Sequence, residues 1–376
     1  MTNPALAKPR YDLLDGLRGV AALLVIIYHF GEGFATSPVD QMLNHGYLAV
    51  DFFFVLSGFV LGYAYDDRWT SGSLTSGRFM LRRLIRLQPM VVLSVILGAI
   101  AFIIQGSVKW DGSPVPIHAV IVALVLGLFM IPTGPGLLAE VRGNGEMFPL
   151  NGPAWSLFFE YIASILYAIW LHKLSRRSLT AVVLISAIGL AANNFINLSG
   201  FYHQGVGWTI ADGGFLGGFF RVAFSFSAGL LICRTFRRTN IRGAFWICSA
   251  IIALVLACPY VSRTGEPDIL NALYDTLATL IVFPLVVWIG ACGQNPGRIA
   301  AGTCEFLGQI SYPVYIVHYP VMYMFYAWVW AHSYTLQQVW PVCILLFLLI
   351  ILMAWTALRY YDTPVRAWLS RRLLRR

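Results

Sequence analysis

LDGLRGVAALLVIIYHF, residues 14–30, is an apolar run that opens on an arginine and closes on a histidine. Read as a helix, it carries Arg18 and His29 on one face, roughly three turns and ~16 Å apart along the axis. The run has the composition of a membrane span, in which both ionisable groups are costly unless they are used. The rest of the chain supports that reading. Of its 376 residues, 58% are hydrophobic and 11% charged, and the mean hydropathy is +0.71. A soluble domain carries about 25% charged residues. The expected fold is an all-α polytopic membrane protein, a single integral-membrane domain over residues 1–376 with no soluble domain attached.

Apolar segments recur near 19–36, 47–65, 89–105, 117–131, 154–171, 179–198, 213–233, 243–262, 270–290, 308–330 and 340–358. The net charge of +9 does not point to nucleic acid, because its arginines and lysines gather at span ends: RRLIR (82–86), HKLSRR (172–177), RTFRR (234–238) and RRLLRR (371–376). This is the positive-inside pattern, with anionic lipid as a further attraction. Lys8 and Arg10 precede the first span, which is expected to be retained because no small-residue cleavage site follows it. Both termini are then cytoplasmic, which requires an even number of crossings. If 117–131 crossed, HKLSRR would emerge outside. About ten transmembrane helices are therefore expected, with 117–131 a short re-entrant or interfacial helix and the loop 132–153 external. The six cysteines show no CxxC spacing and read as free thiols, and no metal site is expected.

Polar groups inside apolar runs are the candidate site residues. His29 leads, with Arg18 on its face; Glu32, three residues on, either orients the imidazole or sits at the interface. Arg82, Arg83 and Arg86 form a compact basic patch on a short helix ended by Pro89, suited to phosphates or serving only topology. Asp51, in DFFFVLSGF (51–59), is an intramembrane acid, and Ser57 and Gly58 allow close helix approach. Ser156 and Glu160 lie one turn apart; Glu160 either pairs with an arginine or binds a hydroxylated substrate. Ser311, Tyr315 and His318 share one helical face, as a cavity lining or an interhelical hydrogen-bond cluster. The tryptophans and tyrosines near 323–340 read as an interfacial belt. Taken without further information, these groups fit an enzyme or a transporter about equally. A haem or quinone site on His29 and His318 is a weaker third reading.

Together these segments resemble bacterial membrane-bound acyltransferase family 3, the group of O-antigen and Nod-factor O-acetyltransferases. The matching pieces are LDGLRGVAALLVIIYH (14–29), AVDFFFVLSGF (49–59), RRLIRLQP (82–89), WSLFFEYIASILY (155–167) and SYPVYIVHYP (311–320), in family order. The resemblance implies transfer of an acyl group, usually acetyl, from cytoplasmic acetyl-CoA to a hydroxyl of an extracytoplasmic glycan or glycolipid in the bacterial inner membrane. It places the catalytic histidine at His29, its partner arginine at Arg18, the cytoplasmic arginine pair at Arg83 and Arg86, and the motif acid at Glu160. The chain departs from the family in two places. Asp362 stands where a glutamate is usual, and no SGNH-type domain is expected, so the chain either works alone or hands its acyl group to a separate periplasmic acyl-accepting protein. No tightly bound cofactor is implied; acetyl-CoA is a co-substrate. Arg82, Arg83 and Arg86 would hold its phosphates, and its arm would thread toward His29. Asp51, Ser311, Tyr315 and His318 are the expected substrate-binding groups. The rival is a transporter or flippase of a glycan or lipid.

Overall fold

The computed structural model describes residues 11–374 apart from Asp212, Arg238, Asn295 and Pro296. Lys8, Arg10, Arg238, Arg375 and Arg376, all part of the expected cytoplasmic charge pattern, lie outside the described residues. The described chain is helical throughout, its only strand pairing being isolated bridges. The helices are α1 (Asp12–Glu32), α2 (Ala49–Thr70), α3 (Ser76–Ile104), α4 (Ile117–Leu128), α5 (Ala154–Ile169), α6 (Arg176–Ile196), α7 (Gly214–Thr235) and α8 (Ala244–Ala257). Then follow α9 (Ile269–Leu277), α10 (Phe283–Ala291), α11 (Arg298–His332), α12 (Leu336–Ala357) and α13 (Thr363–Leu373), with π-turns joining α9 to α10 and α12 to α13. Among the described residues, seven helical segments are long and apolar enough to cross a membrane, the pattern of a polytopic membrane protein. Three apolar helices are shorter: α4, α5 and α8.

Two parallel helix pairs organise the bundle, and small residues set both. Without a hydrophobic drive between helices in lipid, close backbone approach takes over. Along α1 and α11, a Cβ on Gly16 would lie 2.8 Å from the Cα of Cys304, and one on Gly19 would lie 2.4 Å from the Leu307 carbonyl oxygen. Gly308 answers from α11, where a Cβ would meet that of Asp15 at 2.7 Å. Along α2 and α7, a Cβ on Gly58 would lie 2.0 Å from the Phe226 carbonyl, and one on Gly229 would lie 2.0 Å from that of Val55. Gly58 thus provides the close approach read from the sequence. The glycines of α1 provide another that the reading passed over.

The expected helix end at Pro89 is not there. Starting from the Thr75 cap, α3 runs through Pro89 to Ile104, 29 residues in all. Neighbouring helices make such a proline tolerable in a span. Pro89 takes away the helical donor of the Ile85 carbonyl, and two residues on the Tyr312 hydroxyl of α11 donates to the Leu87 carbonyl at 2.6 Å.

The basic clusters meet at one end of the bundle. Arg234, at the end of α7, donates to Asp66 of α2 at 2.7 Å and to the Leu174 carbonyl beyond α5 at 2.9 Å. Trp69 stacks on His172 with ring centroids 4.1 Å apart. Ser76, opening α3, donates to the Ala168 carbonyl at the end of α5 at 2.8 Å. Thus α3 leaves this end and α5 returns to it, so α4 does not carry the chain from end to end between them. At the far end the loop before α5 is pinned beside the end of α3: Arg142 donates to Gln105 at 2.8 Å and stacks on Tyr323, its guanidinium 3.7 Å from the ring centroid.

Candidate active site

A cavity of about 750 Å³ opens at the end of the bundle that holds the basic clusters. It gathers groups from five helices: Arg18 of α1, Ser57 of α2, Arg82, Arg83 and Arg86 of α3, Ser156 and Glu160 of α5, and Ser311 and Tyr315 of α11. Seven of the ten candidate residues read from the sequence therefore line one space. His29, Asp51 and His318 do not.

The arginines differ in what already holds them. Arg83 is buried, with Nη2 on Glu160 Oε1 at 2.5 Å and Nε on Ser164 Oγ at 3.1 Å. Ser57 also donates to that glutamate oxygen, at 2.9 Å. Glu160 is thus the counter-ion of Arg83, the first of the two roles open to it. Arg18 pairs with Asp15 at 3.1 Å and donates to Ser311 at 2.8 Å and to the Gly308 carbonyl at 3.2 Å. Arg82 and Arg86 line the cavity with no hydrogen-bond or ion-pair partner among the described residues, and Nε of Arg82 is buried and unsatisfied. Two unpaired guanidinium groups in one cavity suit an anion.

Of the α11 residues that line the cavity, Tyr315 lies furthest toward the middle of the bundle. Its hydroxyl is 2.7 Å from Ser156 Oγ, and its ring meets Phe53 edge-on with centroids 5.5 Å apart. Behind Tyr315 lies His318, with ring centroids 6.0 Å apart, and His318 stacks on His29 at 5.2 Å. Arg18 and His29 do share one face of α1, the face turned to α11. Nδ1 of His29 lies 2.5 Å from Oε2 of Glu32, so Glu32 engages the imidazole instead of merely lying at the interface. The Tyr326 hydroxyl sits 3.0 Å from that oxygen and 2.7 Å from the His29 carbonyl. An ionised carboxylate only accepts, so beside ionised Glu32 the Nδ1 of His29 carries a proton, and in the neutral ring Nε2 then offers its lone pair.

Asp51 is placed elsewhere than expected. It is fully buried and pairs with Arg221 of α7, with Nη2 2.7 Å from Oδ2, and does not line the cavity described above. Arg221 was missed in the sequence, although an arginine inside the apolar run 213–233 is as conspicuous as His29. Tyr323 and Tyr326 are buried side chains of the core, so the belt reading fails for them. Tyr323 hydrogen-bonds Glu146 of the loop before α5, a carboxyl that burial pushes above the ordinary glutamate range.

Comparison with known proteins gives the family. The chain is 40% identical over 190 residues to Protein 2 in the picA locus of Rhizobium radiobacter, covering 48% of this chain and 93% of that one. It is 31% identical over 195 residues to the acyltransferase MdmB of Streptomyces mycarofaciens, covering 49% of this chain and 44% of that one. A putative O-acetyltransferase of Staphylococcus aureus, SACOL0978, is 37% identical over 97 residues, 24% of this chain and 14% of its own. The chain thus spans less than half the length of the latter two relatives. No solved structure matches it. The family model described as an acyltransferase domain matches residues 11–359, nearly the whole chain, which therefore belongs to the membrane-bound acyltransferase family 3.

Proposed function

We propose that the protein moves an acyl group, acetyl foremost, from cytoplasmic acyl-CoA to a hydroxyl of an extracytoplasmic glycan or glycolipid. The observation that carries this reading is the cavity with its two unpaired arginines, which leads toward a carboxylate-braced histidine. Arg82 and Arg86 hold the donor's phosphates, while Glu160 and Ser164 fix Arg83 as the wall behind them. Arg18 and Ser311 line the path of the thin pantetheine arm. Tyr315 closes that path in the resting protein, and it must swing aside for the thioester to reach His29. His29 then acts on the acyl group or the acceptor hydroxyl through Nε2, with Glu32 holding the reactive tautomer.

In this reading the cavity faces the cytoplasm of a bacterial inner membrane, together with both termini. Ten segments cross, and α4, at 12 residues the shortest of the three short apolar helices α4, α5 and α8, does not. The return of α5 to the basic end supports that count, and so does a span's need for about 20 residues. Tags at residues 145 and 175 test it, and an external tag at 175 overturns it. The acceptor and the bilayer are the partners, with a separate periplasmic acyl-accepting protein as a further one; no cofactor is held tightly. Donor chemistry is tested on purified protein by acetyl-CoA binding and slow hydrolysis, wild type against His29→Ala. Hydrolysis lost with His29 supports the reading. Glycan movement without acetyl-CoA consumption would favour a transporter instead.

A further inference from the structure

His318 is completely buried and stacks on His29, yet its Nε2 has no hydrogen-bond partner. Its other nitrogen settles the tautomer. Nδ1 lies 3.2 Å from the Val314 carbonyl, an oxygen that only accepts, so Nδ1 carries the hydrogen and Nε2 is a bare lone pair. A buried acceptor left without a donor is costly and calls for an explanation. His29 has the same form: Nδ1 is engaged by Glu32, and Nε2 has no hydrogen-bond partner among the described residues. Two imidazoles, each with its Nδ1 fixed by a neighbour, therefore bring two free lone pairs to one place.

Acyl transfer from a thioester to an alcohol removes one proton, that of the hydroxyl. One lone pair suffices for that proton, which leaves the second for carbon. Resting on the proposed acyl transfer, the geometry points to a double displacement in which His29 carries the acyl group and His318 is the base for the acceptor. In the first step Nε2 of His29 attacks the thioester carbonyl. The C–N bond forms, the C–S bond breaks, and the electron pair leaves on the CoA thiolate, which takes a proton from water on release. Glu32, on the Nδ1 proton, offsets the positive charge of the acylated ring. In the second step the acceptor oxygen attacks the same carbon. Its proton passes to Nε2 of His318, the C–O bond forms, and the C–N bond returns its pair to His29. His318 then gives its proton to water, so the balance closes with ester and CoA thiol.

The roles divide this way because the two rings have different partners. His29 has a carboxylate to stabilise a cationic ring, which an acylimidazole needs. His318 has only a backbone carbonyl on Nδ1, which fixes the ring for uptake of a single proton. His318 also stands between His29 and Tyr315, the residue that closes the donor cavity, so it can reach the face of the acyl-imidazole.

The test needs no identified acceptor. An acyl-enzyme makes the protein exchange radiolabelled CoA into acetyl-CoA in the absence of acceptor, and water then serves as the acceptor in slow hydrolysis. Wild type should do both, and His29→Ala neither. His318→Phe keeps a ring against His29 without the lone pair. It should exchange label at near the wild-type rate and lose hydrolysis by about 100-fold, the low end for a general base. Retained exchange also shows that the variant is folded, and His318→Asn is the second variant should the phenylalanine not be accommodated. Hydrolysis by wild type without exchange would overturn the double displacement. Wild-type hydrolysis in a His318 variant that still exchanges label would overturn the role of His318, as would loss of exchange in a variant that still binds acetyl-CoA. Failure of the wild type to bind acetyl-CoA at all would sink the acyltransfer reading itself.

Discussion

Gly19→Ala tests the contact that sets the whole site. The added methyl carbon would lie 2.4 Å from the Leu307 carbonyl oxygen and 2.6 Å from its carbon. Ordinary contact begins near 3.4 Å, so α1 and α11 must separate by about 1 Å, a shift that close-packed interiors resist. The obstacle is backbone, so no rotamer change relieves it. The expected cost is that of overpacking, about 1–3 kcal/mol. The functional loss should be larger. The bond from Arg18 to Ser311, now 2.8 Å, would lengthen beyond hydrogen-bonding range, and His29 would withdraw from His318. A displacement of about 1 Å in a catalytic constellation costs on the order of 100-fold. The assays are the thermal midpoint in detergent, followed by intrinsic fluorescence, and acetyl-CoA hydrolysis. Gly302→Ala on the partner helix α11 is the control, since its methyl would meet nothing within 4 Å and alanine favours the helix by up to about 1 kcal/mol. Wild-type midpoint and rate in Gly19→Ala would refute the close α1–α11 contact and the register built on it.

Arg82→Ala with Arg86→Ala should weaken acetyl-CoA binding without lowering the thermal midpoint, because neither guanidinium has a partner among the described residues to strand; calorimetric titration that finds unchanged affinity would refute the anion site. Asp51→Ala strands the buried Arg221 charge and should cost about 3–5 kcal/mol, while the double variant with Arg221→Met should recover most of it; equal losses in single and double variants, by denaturant titration, would count against the pair. Burial raises the Glu146 carboxyl, so the folded protein holds its proton more tightly than the unfolded chain. The stability from this group is complete at low pH and declines as pH rises from the ordinary glutamate value of about 4.3. Midpoints measured across that range should fall less in Glu146→Gln than in wild type, and parallel curves would remove Glu146 as the cause.

What the sequence made legible was the set of costly groups. An arginine or histidine in an apolar run stands out against lipid, and helical period alone put Arg18 with His29 and Ser311 with Tyr315 and His318 on shared faces. Partners were not legible, because pairing in a bundle is tertiary. Asp51 finds Arg221 across 170 positions of sequence, and nothing local to either residue names the other. The same limit applied to Glu160, whose choice between an arginine and a substrate rests on where α3 lies. Pro89 and the tyrosines at 323 and 326 were misread for a related reason. Rules for an isolated helix, or for a membrane surface, give way where neighbouring helices supply hydrogen bonds. The glycines of α1 were in plain sight within LDGLRG, but their purpose shows only against the backbone of α11.

Partnership sorts the intramembrane polar groups into two kinds, and the sorting separates architecture from chemistry. A charge taken out of water costs several kcal/mol, which a well-placed counter-ion offsets. Asp51 with Arg221, Asp66 with Arg234 and Glu160 with Arg83 are offset within the protein and fix how α2, α3, α5 and α7 lie against one another. Arg82, Arg86 and the Nε2 atoms of His29 and His318 are not offset, and they do not scatter. The arginines face the cavity at the basic end, and the histidines stack just beyond Tyr315 of its lining. Other buried polar atoms also lack partners, among them Asn151 Oδ1, Ser225 Oγ and Asp275 Oδ1, so it is the grouping of the two arginines and two histidines that matters. On the proposed reading, cations at the mouth and lone pairs at the far end complement an elongated ligand that is anionic at one end and electrophilic at the other, as a nucleotide-linked thioester is.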